Sequence, residues 1–238
     1  AVMPWGGHLT WDGLQLQIAA APLPVGVVYI LAIGSLAVYG VVLAGYASNN
    51  KYSFLGGLRA TAQMLSYEIP MGLSVLVVIL MARSMDAATI LESQANSVWF
   101  LFYQPVLAVI FFTCTLAECN RAPFDLAEAE QELVGGFHTE YSSMKFALFF
   151  LGEYIHMVTN AAFFVLLFLG GWDLPFVAEP LGHEAAGFGW VVLKALVFAG
   201  KVALVISLMM MIRWTLPRFR FDQLMRLAWR SLIPIALI

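Results

Sequence analysis

Long apolar runs, separated by short polar segments, dominate this chain. Five of them reach the roughly 20 residues that a membrane-spanning helix needs, and a sixth is shorter. The runs cover residues 22–47, 60–82, 97–117, 144–171, 188–214 and 224–238. This pattern predicts an all-α, polytopic membrane helix bundle with about six transmembrane helices, and it predicts that residues 1–238 form a single transmembrane domain.

The polar segments between the runs predict the orientation of the bundle. Lysine and arginine concentrate in the first, third and fifth connections, whereas the fourth connection contains acids but no basic residue. Because short cytoplasmic loops are enriched in basic residues, we predict cytoplasmic loops at about 48–59, 118–143 and 214–224. Both chain ends then face the other side. The same loops hold most of the specific polar residues, so we expect a partner or substrate to dock on the cytoplasmic face.

Composition excludes several classes of protein. The chain is 61% hydrophobic and 11% charged, whereas ordinary soluble domains are about a quarter charged. Its first residues contain no basic segment typical of a cleavable signal peptide. Cys114 and Cys119 are too few for a disulfide framework and have no matching cluster for metal binding. We find no nucleotide-binding glycine motif, nucleophilic triad or nucleic-acid signature.

The segment from Glu118 to Tyr141 is unusually acidic for such an apolar chain. Asp125 and Glu128 fit a capping box, so a short helix is expected to follow. Glu128 and Glu132, four residues apart, would lie on one face of that helix and repel each other. The segment is either a solvated surface helix or a group of coupled carboxylates that take up and release protons.

An acid also lies inside the second apolar run. Pro70 follows Glu68 by two residues and predicts a break or kink in this helix, because proline removes a backbone donor. If the helix begins near residue 60, Glu68 lies about 12 Å along it. Either Glu68 faces the interior of the bundle and is functional, or the boundary is misjudged and Glu68 lies at the lipid interface.

The fourth and fifth runs contain further polar residues. Glu153, His156 and Asn160 follow the spacing i, i+3 and i+7, which predicts one polar stripe with a proton-conducting or packing role. Glu-x-x-His is half of a di-iron motif, but no second copy exists, so iron is rejected. Lys194 and Lys201 are seven residues apart. Lys194 could reach the interface, whereas Lys201 is expected to face an acid or a water-filled cavity.

The last polar loop, residues 213–223, alternates arginines with aromatic residues. On charge alone, it could anchor helix ends to lipid headgroups. The chain as a whole, however, closely resembles a known family. The matching stretches are residues 47–60, 66–70, 118–141, 169–172 and 213–225. That family is the quinone-site membrane subunit of respiratory complex I, also called NADH dehydrogenase subunit 1.

The resemblance implies a subunit without a redox centre of its own, in a proton-translocating NADH:quinone reductase acting on ubiquinone or menaquinone. No cofactor would be bound by this chain, and quinone would be a substrate of the whole complex. The expected partners are the peripheral-arm iron–sulfur and quinone-head-binding subunits, small and antiporter-like membrane subunits, quinone and the lipid bilayer. No nucleic acid is expected. The implied location is the bacterial inner membrane, with the mitochondrial inner membrane as the alternative.

The resemblance also implies roles for particular residues. Acids of the cytoplasmic loop would border the quinone cavity, and three others would continue an acidic proton path into the membrane. The first set is Glu118, Asp125, Glu128, Glu130 and Glu132; the second is Glu68, Glu140 and Glu153. Residues at the cavity or the peripheral-arm interface would be Arg121, Phe124, Arg218, Arg220 and Asp222.

Some features depart from the family pattern. Members usually begin with two further transmembrane helices and an amphipathic helix, which this sequence does not contain. Cys119, Ala127 and Phe221 stand where threonine, proline and tyrosine are common, but no acid of the path is lost. Two alternatives stay open: the equivalent subunit of a membrane-bound hydrogenase or of a ferredoxin- or F420-linked complex, and an autonomous ion transporter.

Overall fold

A computed structural model describes most of the chain and is largely helical. The described residues are 8–11, 14–17, 23–95, 98–125, 136–173 and 188–237. Its α-helices are α1 (Gly26–Ala47), α2 (Lys51–Ala82), α3 (Ala87–Ala95), α4 (Phe100–Tyr103), α5 (Pro105–Glu118), α6 (Ser143–Phe168), α7 (Phe188–Thr215), α8 (Phe221–Arg226) and α9 (Ile233–Leu237). A 3-10 turn covers Gly136–His138, and a π-helical stretch, Leu227–Leu232, joins α8 to α9.

The predicted helical membrane bundle is confirmed. Within the described residues, four helices are long and apolar enough to cross a membrane: α1, α2, α6 and the part of α7 from Val191 to Thr215. The third predicted span is divided at Gln104 into the short helix α4 and the 14-residue helix α5, which has proline at its first position. The sixth consists of α8, the π-helical stretch and α9 in direct succession.

Helix α2 is longer than predicted. It begins at Lys51, where the side chain of Asn50 accepts a hydrogen bond from the backbone N–H of Tyr52 at 3.0 Å. The prediction of a loop over 48–59 is therefore wrong beyond Asn50, because an N-cap starts the helix there. Glu68 lies about 26 Å along the helix from its first residue, about twice the distance that was predicted from a start near residue 60. The helix continues through Pro70 without a break, and the alternative, a kink at this proline, stays a prediction.

Two small elements were not predicted. Strand β1 (His8–Trp11) pairs with β2 (Leu14–Gln17) in an antiparallel hairpin, with His8 opposite Gln17. Helix α3 follows α2 after a short connection. Neither element is long enough to produce an apolar run of membrane-spanning length, which is why the hydrophobic pattern did not reveal them.

Helix α2 packs against α1, α5 and the C-terminal helices. Small residues allow α1 and α2 to approach closely: a Cβ added at Gly57 would lie 3.5 Å from Cα of Gly45. Close contact through small residues is typical of helix pairs in membranes. Helix α5 meets α6 through aromatic residues, with the ring of Phe111 5.7 Å from that of Phe163 and 5.6 Å from that of Phe168. These contacts fix the polar end of α5 beside the middle of α6.

Candidate functional site

The end of α5 places a carboxylate against two polar residues of α6. Glu118 is buried, with 7% of its surface exposed. Asn160 donates from Nδ2 to Oε2 of Glu118 over 3.1 Å, and Nε2 of His156 lies 3.5 Å from Oε1 of the same carboxylate. His156 and Asn160 are also 3.1 Å apart. The predicted stripe on α6 therefore faces the bundle interior, and Glu118 is its partner.

The third member of the stripe forms an ion pair. Oε1 of Glu153 lies 2.7 Å from Nε of Arg121, and the two side chains are 16% and 13% exposed. The guanidinium of Arg121 also lies over the ring of Tyr154, 4.6 Å from its centroid. A mostly buried carboxylate is tolerated when a positive charge and hydrogen bonds compensate the loss of water. Arg121 thus neutralises Glu153 at the edge of the cluster.

Gln63 of α2 holds the turn that carries Arg121. Its side chain is fully buried, and Nε2 donates to the carbonyl oxygens of Ala117 and Phe124, each at 2.8 Å. Asn120, in the same turn, has a positive φ of 47°, and the Ala122–Pro123 peptide bond is cis. One buried amide therefore connects both ends of the turn to α2.

Glu68 lies on α2 and contacts α1. The hydroxyl of Ser35 donates a hydrogen bond to Oε1 of Glu68. The neighbouring residue Gly34 faces the other acid, since a Cβ built there would lie 3.7 Å from Oε1 of Glu118. Adjacent residues of α1 thus lie beside the carboxylates of Glu68 and Glu118.

The acidic and basic loops meet at Asp125. Arg218 donates from Nη2 to the backbone carbonyl of Asp125 and to its Oδ2, the latter at 3.1 Å. Next to this pair, the ring of Phe124 stacks on that of Phe219 with 5.6 Å between centroids. The backbone N–H of Phe219 also donates to the carbonyl of Pro123. The two predicted interface loops therefore form one surface in the folded chain.

Phe124 also connects this surface to the core. Its ring lies 5.6 Å from that of Tyr67, whose hydroxyl donates to the carbonyl of Leu224 at 3.0 Å. Arg220 and Asp222 are exposed at the start of α8. Arg59 lies over the ring of Phe221 at 5.9 Å. Polar and aromatic residues from α2, the turn after α5 and α8 are thus adjacent.

The structure does not bring all predicted acids together. Glu140 accepts a hydrogen bond from Nδ2 of Asn50 at 2.7 Å, in an exposed position apart from the Glu118 cluster. Glu128, Glu130 and Glu132, with the capping box predicted for them, lie outside the described residues. Among the residues that are described, no group of three or more potential ligands could hold a metal ion.

The lysines of α7 face the C-terminal end of α6. Nζ of Lys201 donates to the carbonyl oxygens of Leu169, at 2.7 Å, and Asp173. It also lies over the ring of Trp99, 4.3 Å from the centroid. Lys194 is buried, and both lysines interact electrostatically with Asp173. The acid expected near Lys201 is therefore Asp173.

Sequence reasoning missed Gln63 and Ser35 as members of the site. Gln63 precedes Tyr67 by four residues, so the two share a face of α2. A polar residue on the same face as a buried aromatic would have been a usable signal. Ser35 has no such signal, because one hydroxyl within an apolar helix is common and its partner is 33 residues away.

Comparisons with known proteins match this chain to one family. The profile of the family described as NADH dehydrogenase matches residues 1–238. A relative in Cytophaga hutchinsonii, the first of its NADH-quinone oxidoreductase H subunits, is 46% identical over 238 residues, covering 100% of this chain and 69% of the relative. The H subunit of the same enzyme in Protochlamydia amoebophila is 48% identical over 241 residues, covering 100% and 68%. The second H subunit of Geobacter metallireducens is 48% identical over 249 residues, with the same coverage.

Proposed function

The chain belongs to the NADH dehydrogenase family, and on this basis we propose that it is a membrane subunit of a proton-pumping NADH:quinone oxidoreductase. In this role it contributes part of the quinone tunnel and an acidic path that couples quinone reduction to proton translocation. It binds no redox cofactor itself. Quinone is the substrate of the complex, and electrons arrive from an iron–sulfur subunit docked on the cytoplasmic face of the bacterial inner membrane.

The buried Glu118 cluster is the observation on which this proposal depends. Glu118 contacts His156 and Asn160 within the apolar bundle. Ionisable residues in such surroundings are costly and usually functional. A carboxylate next to an imidazole provides two neighbouring groups that can each take up a proton, which is the chemistry that a coupling path requires.

The Glu153–Arg121 pair supports a path leading out of this cluster. Glu153 lies three residues before His156 on α6, and hence on the same face. Arg121 lies in the turn that leads to Phe124 and Asp125. A change of charge at the cytoplasmic surface would therefore act on Arg121 and, through it, on Glu153. The turn thus transmits a change of charge, caused by quinone reduction next to this subunit, to the acids within the membrane.

The surface around Asp125 and Arg218 supports docking of the peripheral arm. Arg218 and Asp125 pair at 3.1 Å and are 38% and 25% exposed, so both remain accessible to a partner. Arg220 and Asp222 are exposed beside them. Alternating charges and aromatic rings on one face are typical of protein interfaces, where arginine and aromatic residues are enriched. The peripheral arm would therefore dock on the surface that the loops of Asp125 and Arg218 form together.

The proposal is tested by Glu68→Gln in the assembled complex. Glutamine keeps the hydrogen bond to Ser35 but cannot bind or release a proton. We expect quinone reduction and proton pumping to fall, while NADH oxidation by an artificial acceptor stays at the wild-type rate. Glu92→Gln, on α3 and away from the path, is the matched control and should leave all three unchanged. Wild-type pumping and quinone reduction in Glu68→Gln would contradict the path.

Purification of the tagged chain tests the broader assignment. Iron–sulfur subunits and an NADH-oxidising module should accompany it. Co-purification with a hydrogenase would instead indicate the hydrogenase-linked alternative. Recovery of the chain alone, with ion transport in vesicles, would indicate an autonomous transporter.

A further inference from the structure

His156 is an imidazole within the acidic path. Its side chain is 20% exposed, and Nε2 points at Glu118 and Asn160 rather than at lipid. Histidine is the one side chain whose ordinary pKa lies close to neutral pH, so it can exchange protons with a carboxylate under physiological conditions. The cluster therefore contains two groups that can each hold a proton.

The hydrogen bonds of Asn160 define one protonation state of the cluster. An asparagine amide nitrogen carries two hydrogens and accepts none. Nδ2 donates to Oε2 of Glu118 over 3.1 Å and lies 3.1 Å from Nε2 of His156, which accepts from it when the imidazole carries its proton on Nδ1. Nε2 and Oε1 of Glu118 then face each other across 3.5 Å with a place for one more proton.

Rotation of the Asn160 amide accommodates that proton. Turned by half a revolution, the side chain has almost the same shape but presents its oxygen where the nitrogen was. The oxygen can then accept from the N–H that forms at Nε2 of His156, which also faces Oε1 of Glu118. Oε2 of Glu118 gives up its hydrogen bond from Asn160 and is compensated by the positive charge of the neighbouring imidazolium.

We propose that Glu118, His156 and Asn160 form a proton-storage site in which the imidazole and the carboxylate share one transferred proton and the amide adapts by rotation. The proposal rests on the proposed function, because the proton comes from a carboxylic acid or water of the acidic path. The donor's O–H bond breaks, an N–H bond forms at Nε2, and no electron moves. The net charge of the Glu118–His156 pair changes from −1 to 0, and release reverses the step.

The charges around His156 are compatible with this exchange. On its own helix, Glu153 lies one turn away and is paired with Arg121 from the turn after α5. From the end of α5 come Glu118 and the thiol of Cys119, whose sulfur is 3.7 Å from Nδ2 of Asn160. Helix α1 contributes Gly34, which has no ionisable group. The ion pair Glu153–Arg121 adds no net charge, so a proton on His156 is balanced by Glu118.

The decisive variant is His156→Gln in the intact complex. Glutamine can donate and accept hydrogen bonds but cannot become a cation. We expect the quinone reductase rate, normalised to NADH oxidation by an artificial acceptor, to fall by about tenfold or more. The pH dependence of that rate should also change, because glutamine cannot take up a proton. His138→Gln is the matched control: His138 packs against aromatic rings such as Phe146, and its loss should change neither the rate nor the pH profile.

Asn160 provides a second test of the mechanism. Asn160→Leu removes the adaptable amide and should reduce the rate as His156→Gln does, whereas Asn160→Gln should retain part of it. A third measurement does not depend on any variant folding. Infrared difference spectra of the wild-type complex on quinone reduction should contain imidazole bands, assigned with isotope-labelled histidine in this chain. Their absence would overturn the proposal.

The remaining outcomes separate this inference from the proposed function. If the wild-type chain supports quinone reduction and His156→Gln matches it in rate and pH profile, the imidazole only fills a hydrogen-bonding position and the storage site is wrong. If the wild-type chain neither co-purifies with iron–sulfur subunits nor supports quinone reduction, the proposed function itself fails.

Discussion

Gln63 donates a hydrogen bond from its side-chain amide to the carbonyl oxygen of Phe124 over 2.8 Å, from a position with no exposed surface. The same nitrogen donates to Ala117, at the other end of the turn. The turn that carries Arg121 is therefore fastened to α2 by one side chain. The geometry of Arg121 and Phe124 therefore depends on the buried side chain of Gln63, which bonds to the backbone of this turn.

Replacing Gln63 by leucine should destabilise this turn. The carbonyl oxygen of Phe124 would lose the hydrogen bond from Gln63, and that of Ala117 would keep the backbone N–H of Asn120, at 3.3 Å. The lost bonds should cost about 1–3 kcal/mol. We expect a lower midpoint of thermal denaturation for the purified complex and a lower quinone reductase rate. Gln223→Leu is a matched control, because Gln223 is exposed and its bond to the N–H of Arg220 is long, at 3.4 Å. Equal midpoints for the two variants would contradict the role of Gln63.

Two glycines of α2 should respond differently to alanine. A Cβ at Gly56 would lie 2.9 Å from backbone atoms of Gly136, too close for either segment to remain in place. Gly56→Ala should therefore reduce stability and separate the segment at Gly136–His138 from α2. Gly72→Ala has no atom within 4 Å of its Cβ and should be neutral or stabilising, since alanine favours helix by about 1 kcal/mol. The comparison is made by thermal denaturation and by the amount of assembled complex.

The Arg121–Glu153 pair should show strong coupling in a double-mutant cycle. Arg121→Met alone leaves a mostly buried carboxylate without its cation, which costs about 3–5 kcal/mol in comparable pairs. Combined with Glu153→Gln, the same change should cost less, because no charge remains unpaired. Stabilities of the two single variants and the double variant, measured by thermal denaturation, give the coupling energy. Additive effects would indicate that solvent, and not Arg121, compensates Glu153.

Lys201 should stabilise the end of α6. Its ammonium binds the carbonyl oxygens of Leu169 and Asp173, and cations at a helix C-terminus also interact favourably with the helix dipole. Lys201→Met should lower the denaturation midpoint, whereas Lys201→Arg should restore part of it. Lys51→Met, at an exposed site, should change stability by less than about 0.5 kcal/mol. A midpoint unchanged by Lys201→Met would show that the carbonyls are satisfied by other donors.

Much of the fold was predictable because apolar runs of membrane-spanning length are typical of transmembrane helices and rare in soluble domains. The helices α1, α2, α6 and α7 coincide with predicted spans, and Glu153, His156 and Asn160 form the single polar stripe that their spacing predicts. The start of α2 was misplaced because Lys51 and Arg59 are polar, and hydropathy counts polar residues against a helix. Here the N-cap at Asn50 decides the boundary instead.

The pairings across the bundle could not be predicted. The spacing of α6 shows that Glu153 and His156 share a face, but not that Arg121 and Glu118 meet them. Likewise, the acid near Lys201 is Asp173, which precedes it by 28 residues and lies beyond the end of another helix. Such contacts depend on how helices cross, and crossing geometry is set by packing of small and aromatic residues over the whole bundle.

The rotation of helix α1 about its axis is matched to two acids that belong to different helices. Ser35 donates a hydrogen bond to Glu68 of α2, and Gly34 lies beside Glu118 of α5, where an added Cβ would be 3.7 Å from Oε1. Inserting or deleting one residue in α1 ahead of Gly34 would turn these positions by about 100° and advance them by about 1.5 Å. Glu68 would then no longer face Ser35, and Glu118 would no longer face Gly34. The positions of Glu68 and Glu118 therefore constrain how many residues of α1 precede Gly34. In turn, α1 keeps these two carboxylates at a constant distance from each other along its axis.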